Sequence, residues 1–375
     1  MSDYDVIVIG GGVIGSSTAL RLAQANKSVA VFDARKARSG ASRAAGGMLG
    51  AQNEFTQNSP LFALAKCSRA MFPDLREELL ELTDIDIQLS HDGLLKVATY
   101  KEDVAQLKSQ YDFLVEDDPS VKWLEGEDLP VYESLLSSNI HASFFIPHDG
   151  QVHAPSLTNA YVKAAVNEGV HLYEDEPVQS IIMEGNVVKG VTTARKTYYA
   201  KQVLIATGAW SSKLLHDDWI TPIKGECLSI HMPNVKLKKT IFSTDGCYIV
   251  PKKEGHFLIG ATSKENSFDE TITAAGIHSL LTRAMRLLPS LQQGHIESMW
   301  TSFRPRTQDG VPIMGKHPSI QNLFISTGHY RNGILLSAFS GKAMADYMCD
   351  MPNAETVLSP FAPTRLVNEK RAVKM

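Results

Sequence analysis

Four cysteines in 375 residues, none in a CxxC pair or at metal-ligand spacing, leave no disulfide framework and no zinc or iron–sulfur motif to organise this chain. No apolar run approaches the roughly 20 residues of a membrane span. The first, Val6 to Ile9, is too short for a signal-peptide core and runs into glycines rather than a cleavage site. Basic charge is not in excess either. A formal net charge of −4 gives nucleic acid or an anionic membrane no electrostatic footprint. The basic tail, Glu369-Lys370-Arg371 to Lys374, is short and reads as a solvated end. Internal repeats and low-complexity linkers are also missing. These absences leave a reduced, cytoplasmic, globular protein with no nucleic-acid or membrane partner and no metal, and a chain of this length predicts two domains.

What is present begins at the amino terminus. Tyr4 to Gly15 reads YDVIVIGGGVIG. The β-branched run Val6-Ile7-Val8-Ile9 predicts a strand buried on both faces of a parallel sheet. Gly10, Gly12 and Gly15 then form GxGxxG, a helical pattern follows, and a second strand, Ser28 to Phe32, ends in Asp33. Gly10 permits the tight turn, Gly12 lets pyrophosphate approach the backbone, and Gly15 lets helix and strand pack closely. The helix amino terminus offers unpaired N–H groups and partial positive charge to phosphate. Asp33 accepts from the ribose hydroxyls and would repel a 2′-phosphate, which argues against NADP despite Arg35 and Lys36. Strand, glycines, helix, strand and terminal acid in register specify a dinucleotide site.

Three further segments favour FAD over NAD. Ser39 to Ala51 (SGASRAAGGMLGA) is a run of small residues able to lie flat against a bulky ligand. Gln202 to Trp210 (QVLIATGAW) is another buried strand ending in a close backbone approach. Gly328 to Leu336 (GHYRNGILL) opens a helix at Arg331-Asn332-Gly333 whose amino terminus would stabilise negative charge on a reduced flavin. No second GxGxxG occurs, so electrons are expected to leave to O₂ or another acceptor rather than arrive from NAD(P)H. The expected flavin contacts in the first turn are Gly10, Gly12, Val13, Ile14 and Gly15. Asp33 and Ala34 follow the second strand, and Ala41, Ser42, Gly46, Gly47 and Met48 come from the small-residue run. Val178 and Gly208 are single contacts. His329, Arg331, Asn332, Gly333, Ile334 and Leu335 complete the set.

With these residues the chain resembles the D-amino-acid-oxidase-like flavoproteins, and among them the glycine oxidases. The resemblance rests on YDVIVIGGGVIGSS, AAGGMLGA, PIKGECL (Pro222 to Leu228), Cys247 to Pro251 (CYIVP), Trp300 with Phe303-Arg304-Pro305, and GHYRNGILL. It implies a mixed α/β fold: a discontinuous Rossmann-like FAD domain (1–84, 146–213, 303–375) and a substrate domain on a large, mostly antiparallel sheet (85–145, 214–302). Asp84 to Tyr100 and Leu214 to Gly260 read as alternating strands of that second domain. It also implies a homotetramer and a link to thiamine biosynthesis.

The resemblance assigns Arg304 to the substrate carboxylate, Tyr248 as a second donor to it, and Arg331 to the junction of substrate and flavin. A guanidinium suits the first role because it is always charged and offers two parallel donors. Arg306, Arg283 and Arg286 do not match the motif, and His329 reads as a packed loop residue rather than a base. Gly246 stands where the family carries a larger polar residue, which opens the site to bulkier amines. Flavin is expected to be non-covalent, because Cys349, the only cysteine of the carboxy-terminal third, lies in the last helix. The implied reaction is oxidation of glycine or another small amine by O₂, giving a 2-oxo acid, ammonia and hydrogen peroxide. A flavin dehydrogenase feeding a membrane quinone would share this chemistry but needs a membrane-contact patch. A non-catalytic flavin module would leave Arg304 and Tyr248 without purpose.

Overall fold

The computed structural model describes residues 3–36 and 40–367; Ser39 and the basic tail Glu369 to Lys374 lie outside them. The β-branched run forms the strand Tyr4–Ile9, flanked in parallel by Val29–Phe32 on one side and Thr197–Ile205 on the other. The sheet extends through Leu323–Thr327 to an antiparallel edge, Ile313–Lys316, and at its other end reaches His171–Tyr173. An antiparallel strand, Val187–Thr192, pairs onto the long strand Thr197–Ile205, and Ser180–Glu184 pairs in turn onto Val187–Thr192. A mixed α/β fold with a Rossmann-like sheet is thus established.

The helix Val13–Gln24 packs on Gly333–Met348 and Ala154–Asn167. Gly333–Met348 is apolar nearly all round and buries Ile334, Leu335, Leu336, Met344 and Met348, as a helix with no polar face must. At Gly341 it meets Ser17 so closely that a methyl group would come within 2.6 Å of the Ser17 Oγ. These contacts tie the last long helix of the chain to the first.

A second, nine-stranded sheet is antiparallel apart from the pair Thr240–Ser243 with Leu94–Ala98. Its longest pair, at one end of the sheet, is Ile220–His231 with His295–Thr307. The helix Ala274–Leu287 covers it with Leu280, Ala284 and Leu287. Leu94–Ala98 and the strands from 220 to 260 match the expected alternation, whereas 84–93 carries no strand beyond one isolated bridge at Ser90. The strand His295–Thr307 runs through the expected boundary at 303, so Arg304 belongs to the second sheet rather than to the dinucleotide sheet. Cross-strand pairing explains this: residues 303–307 continue the ladder with Ile220–Lys224 without a break.

The two sheets are stitched together by polar contacts. Trp300 Nε1 donates to the Ala44 carbonyl at 3.1 Å. Lys252 Nζ donates to Gln151 Oε1 at 2.7 Å and to the Val152 carbonyl at 3.0 Å. Burial of Lys252 lowers its ammonium pKa to about 7. Among the described residues no helix is long and apolar enough to cross a membrane, and no cluster of His, Cys, Asp or Glu could hold a metal.

Candidate active site

A cavity of about 590 Å³ opens between the sheets, and its walls include both Asp33 and Arg304. At the dinucleotide side, Gly10 has φ +106°, and a methyl group there would lie 2.5 Å from the Ala206 carbonyl oxygen. Only glycine satisfies both conditions. The helix Val13–Gln24 is capped by Gly12 with no side-chain acceptor, and Val13 N–H is met by Ser42 Oγ at 2.9 Å. Asp33 accepts from Gly11 N at 2.7 Å and Arg35 N at 2.9 Å, which holds both carboxylate oxygens in place with lone pairs to spare. Burial raises its pKa despite those two bonds, and a second pair of donors such as ribose hydroxyls would relieve that cost. Arg35 is engaged elsewhere, paired with Glu270 at 3.0 Å and stacked on Trp210.

Most of the expected flavin residues meet at this cavity. Val13, Ile14, Ala34 and Ala41 line it, as do Gly46, Gly47, Met48, Val178 and Gly208. From the last segment His329, Arg331, Gly333 and Ile334 reach the wall. Three do not. Gly15 sits behind it, where a methyl group would strike the Gly10 carbonyl at 1.9 Å, so its work is helix–strand packing. Asn332 stands at the amino-terminal cap of the helix Gly333–Met348, and Leu335 packs in the core. Ser326 also lines the cavity, and its Oγ is buried with no hydrogen-bond partner among the described residues. Glycine cradle, open helix terminus, ribose acceptor and orphaned hydroxyl together fit a dinucleotide.

At the other side stand Arg304, Tyr248 and Arg331. Arg304 Nη1 donates to the Thr262 carbonyl at 3.2 Å, and no carboxylate pairs with it among the described residues. Its neighbour Arg306 is committed to Glu265 at 2.7 Å. Tyr248 is buried beside Cys227, hydroxyl to thiol 3.7 Å, and burial raises its pKa, so the phenol stays a proton donor. Its ring also borders Gly46 of the small-residue run. Arg331 Nε pairs with Glu54 at 2.9 Å, which reinforces its positive charge. His329 is buried with its Nε2 3.2 Å from Ser340 Oγ, and burial lowers its pKa to about 3, so it is neutral and no base.

Several participants were invisible to motif reading. Glu54 lies in an irregular segment with no recognisable pattern. Gly225 and Gly260 form the floor beneath Arg304 and Tyr248: methyl groups there would come within 2.5 Å and 2.3 Å of those side chains. Glycine inside a buried strand was the available signal. Arg283, set aside on motif grounds, lines an adjoining chamber of about 420 Å³ that shares Tyr248, Arg304, Tyr330 and Arg331 with the main cavity. Cys349 proves to be the cap just beyond the last long helix, and the cysteine at the cavity is Cys227, kept a thiol by burial.

Comparison with known proteins agrees with this geometry. A family model described as "FAD dependent oxidoreductase" (DAO) matches residues 5–347. The chain is 42% identical over 373 residues to the glycine oxidase of Geobacillus kaustophilus, covering 98% of each protein. It is 34% identical to that of Bacillus subtilis, covering 99% of each. The crystal structure of the Geobacillus kaustophilus glycine oxidase superposes with a TM-score of 0.92, covering 96% of this chain and 98% of that one. The chain belongs to the DAO family of FAD-dependent oxidoreductases, in its glycine oxidase branch, as an enzyme that oxidises small amino acids with non-covalently held FAD.

Proposed function

We propose that this enzyme oxidises glycine and other small amines, sarcosine and D-alanine among them, at the α-carbon with O₂ as the electron acceptor. The observation that carries the reading is Arg304: a guanidinium on the cavity wall, aligned by the Thr262 carbonyl and lacking a carboxylate partner among the described residues. A substrate carboxylate completes that pairing, with two parallel donors from Arg304 and a third from the Tyr248 hydroxyl. Fixing the carboxylate orients the Cα–H, and such positioning is the chief task of the protein in a hydride transfer. FAD, when bound, supplies the hydride-accepting ring and passes two electrons to O₂, giving hydrogen peroxide. Gly10, Gly12, Asp33, Ser42 and the Gly46–Met48 segment would hold it.

The remaining residues set the electrostatics. Arg331, anchored by Glu54, adds positive charge beside the substrate. Burial makes His329 a weak base and keeps Cys227 a thiol, so neither adds charge to the site. The imino acid product hydrolyses in water: a primary amino acid, O₂ and water give 2-oxo acid, ammonia and peroxide, an N-substituted one such as sarcosine releases its amine in place of ammonia, and for glycine the organic product is glyoxylate.

A peroxide assay across glycine, sarcosine, D-alanine and D-proline in detergent-free buffer tests the reading. Peroxide with the first three supports it. Oxidation seen only with an added quinone would instead identify a dehydrogenase.

A further inference from the structure

We propose that the chamber adjoining the active site is a subsite for a second carboxylate on the amine substrate, with Arg283 as its ligand. This rests on the amine-oxidase reading above and extends its substrate class to amines with an acidic group on each arm of the nitrogen.

Three observations carry it. The chamber of about 420 Å³ opens directly beside the substrate-anchoring residues, since Arg304 and Tyr248 belong to the walls of both spaces. Arg283, presented by the helix Ala274–Leu287, lines it and has no carboxylate partner among the described residues. It makes only two long bonds to carbonyls, Asp245 at 3.3 Å and Ser279 at 3.4 Å. Finally, the space is open: a methyl group on Gly246 would meet nothing within 4 Å.

The ion pairing points the same way. Arg331 is matched by Glu54 at 2.9 Å. Asp245 also faces the chamber with a carboxylate of its own, but its Oδ1 is bound within its own turn by Ser243 Oγ at 2.7 Å and Cys247 N at 3.0 Å, and Arg283 reaches its backbone carbonyl rather than its side chain. Among the described residues Arg304 and Arg283 remain as two guanidiniums without ion pairs. A monocarboxylate such as glycine answers one of them; a substrate with a carboxylate on each arm answers both. Thr262, Ser263 and Ser279 add polar groups to the wall rather than an apolar lining. Arg283 is therefore a specificity residue, remote from the reacting carbon.

The test compares iminodiacetate with sarcosine, which carries a methyl group where iminodiacetate carries its second carboxylate arm. In the holoenzyme, Arg283→Gln should lower kcat/KM for iminodiacetate about 10- to 100-fold, through KM, and leave sarcosine within about twofold. Arg283→Lys should restore part of the loss. A readout independent of turnover uses the unreactive ethers diglycolate and methoxyacetate in calorimetry. Diglycolate should bind at least about tenfold more tightly to the wild type, and the preference should vanish in Arg283→Gln. An equal fall for both amines, or no diglycolate preference, overturns the subsite. Sarcosine turned over with no iminodiacetate oxidation overturns it too, while leaving the amine-oxidase reading standing. Failure of glycine and sarcosine alike would bring down that reading as well.

Discussion

The guanidinium of Arg304 lies against the bare backbone of Gly225, so close that a methyl group there would come within 2.5 Å of both Nη1 and Nη2. The two residues sit on paired strands, with Ile223 opposite Arg304 and Gly225 opposite Ser302, so the contact is a diagonal one across the ladder. Gly225→Ala should push the guanidinium off its position while leaving the strands paired. A displacement of about 1 Å at a substrate anchor costs roughly a hundredfold in rate. We expect kcat/KM for glycine to fall by at least about tenfold with the flavin spectrum unchanged. Wild-type kinetics would mean the anchor tolerates movement.

Arg304→Leu removes the anchor itself. Truncating one partner of a buried charge pair costs about 2–5 kcal/mol, or roughly 30- to several thousandfold in kcat/KM. FAD content should not change, because Arg304 stands on the second sheet, away from the glycine cradle. Steady-state kinetics beside a flavin absorbance spectrum check both halves.

Asp33→Ala should do the reverse, weakening cofactor retention. Loss of a charge-assisted acceptor is worth about 1.5–3 kcal/mol, so FAD affinity should fall roughly 10- to 100-fold. Titration of the apoprotein with FAD measures it, and an unchanged dissociation constant would remove Asp33 from the ribose site.

The contrast between these residues explains what the sequence disclosed. Asp33, Gly10 and the first helix form one contiguous unit, so local periodicity and glycine spacing were enough to read them. Arg304 and Tyr248 were legible only through the motifs around them. Gly225 and Gly260 were not, because their significance depends on strand register between positions far apart in the chain, and Glu54 was not, because its irregular segment meets Arg331 only in the folded chain. Arg283 was passed over because the helix that returns it to the site carries no motif; its apolar face, Leu280, Ala284 and Leu287, speaks only of packing. That the strand His295–Thr307 runs on past 303 went unannounced for a related reason: a change of sheet has no composition of its own.

His329 gives a pH dependence. Burial lowers its folded pKa to about 3 from 6.5, so below pH 6.5 the unfolded chain takes up a proton that the folded one refuses. Stability is therefore lost as pH falls from 6.5 toward 3. By pH 5 the loss from this group is about 2 kcal/mol. His329→Gln can keep the contact with Ser340 and cannot titrate. Its denaturation midpoint should fall less than that of the wild type between pH 6.5 and 5. Parallel pH profiles would show that His329 is not the group responsible.

Gly246 joins backbone geometry to substrate range. Its φ of +82° lies in the left-handed region, so any side chain there carries strain of about 1–2 kcal/mol. Yet the space beyond is open, and the residue lines the chamber beside Tyr248 and Arg304. Gly246→His should therefore fold, with modestly reduced stability, and project its ring into the chamber. Filling a pocket typically costs a bulky ligand about 1–3 kcal/mol, or roughly 5- to 150-fold. Glycine itself, held at Arg304, does not reach that space and should be spared. The measurement is the ratio of kcat/KM for glycine to that for N-ethylglycine in both forms. A rise in the variant places Gly246 at the substrate. If thermal stability falls and the ratio stays constant, the glycine serves only the turn that leads into Tyr248.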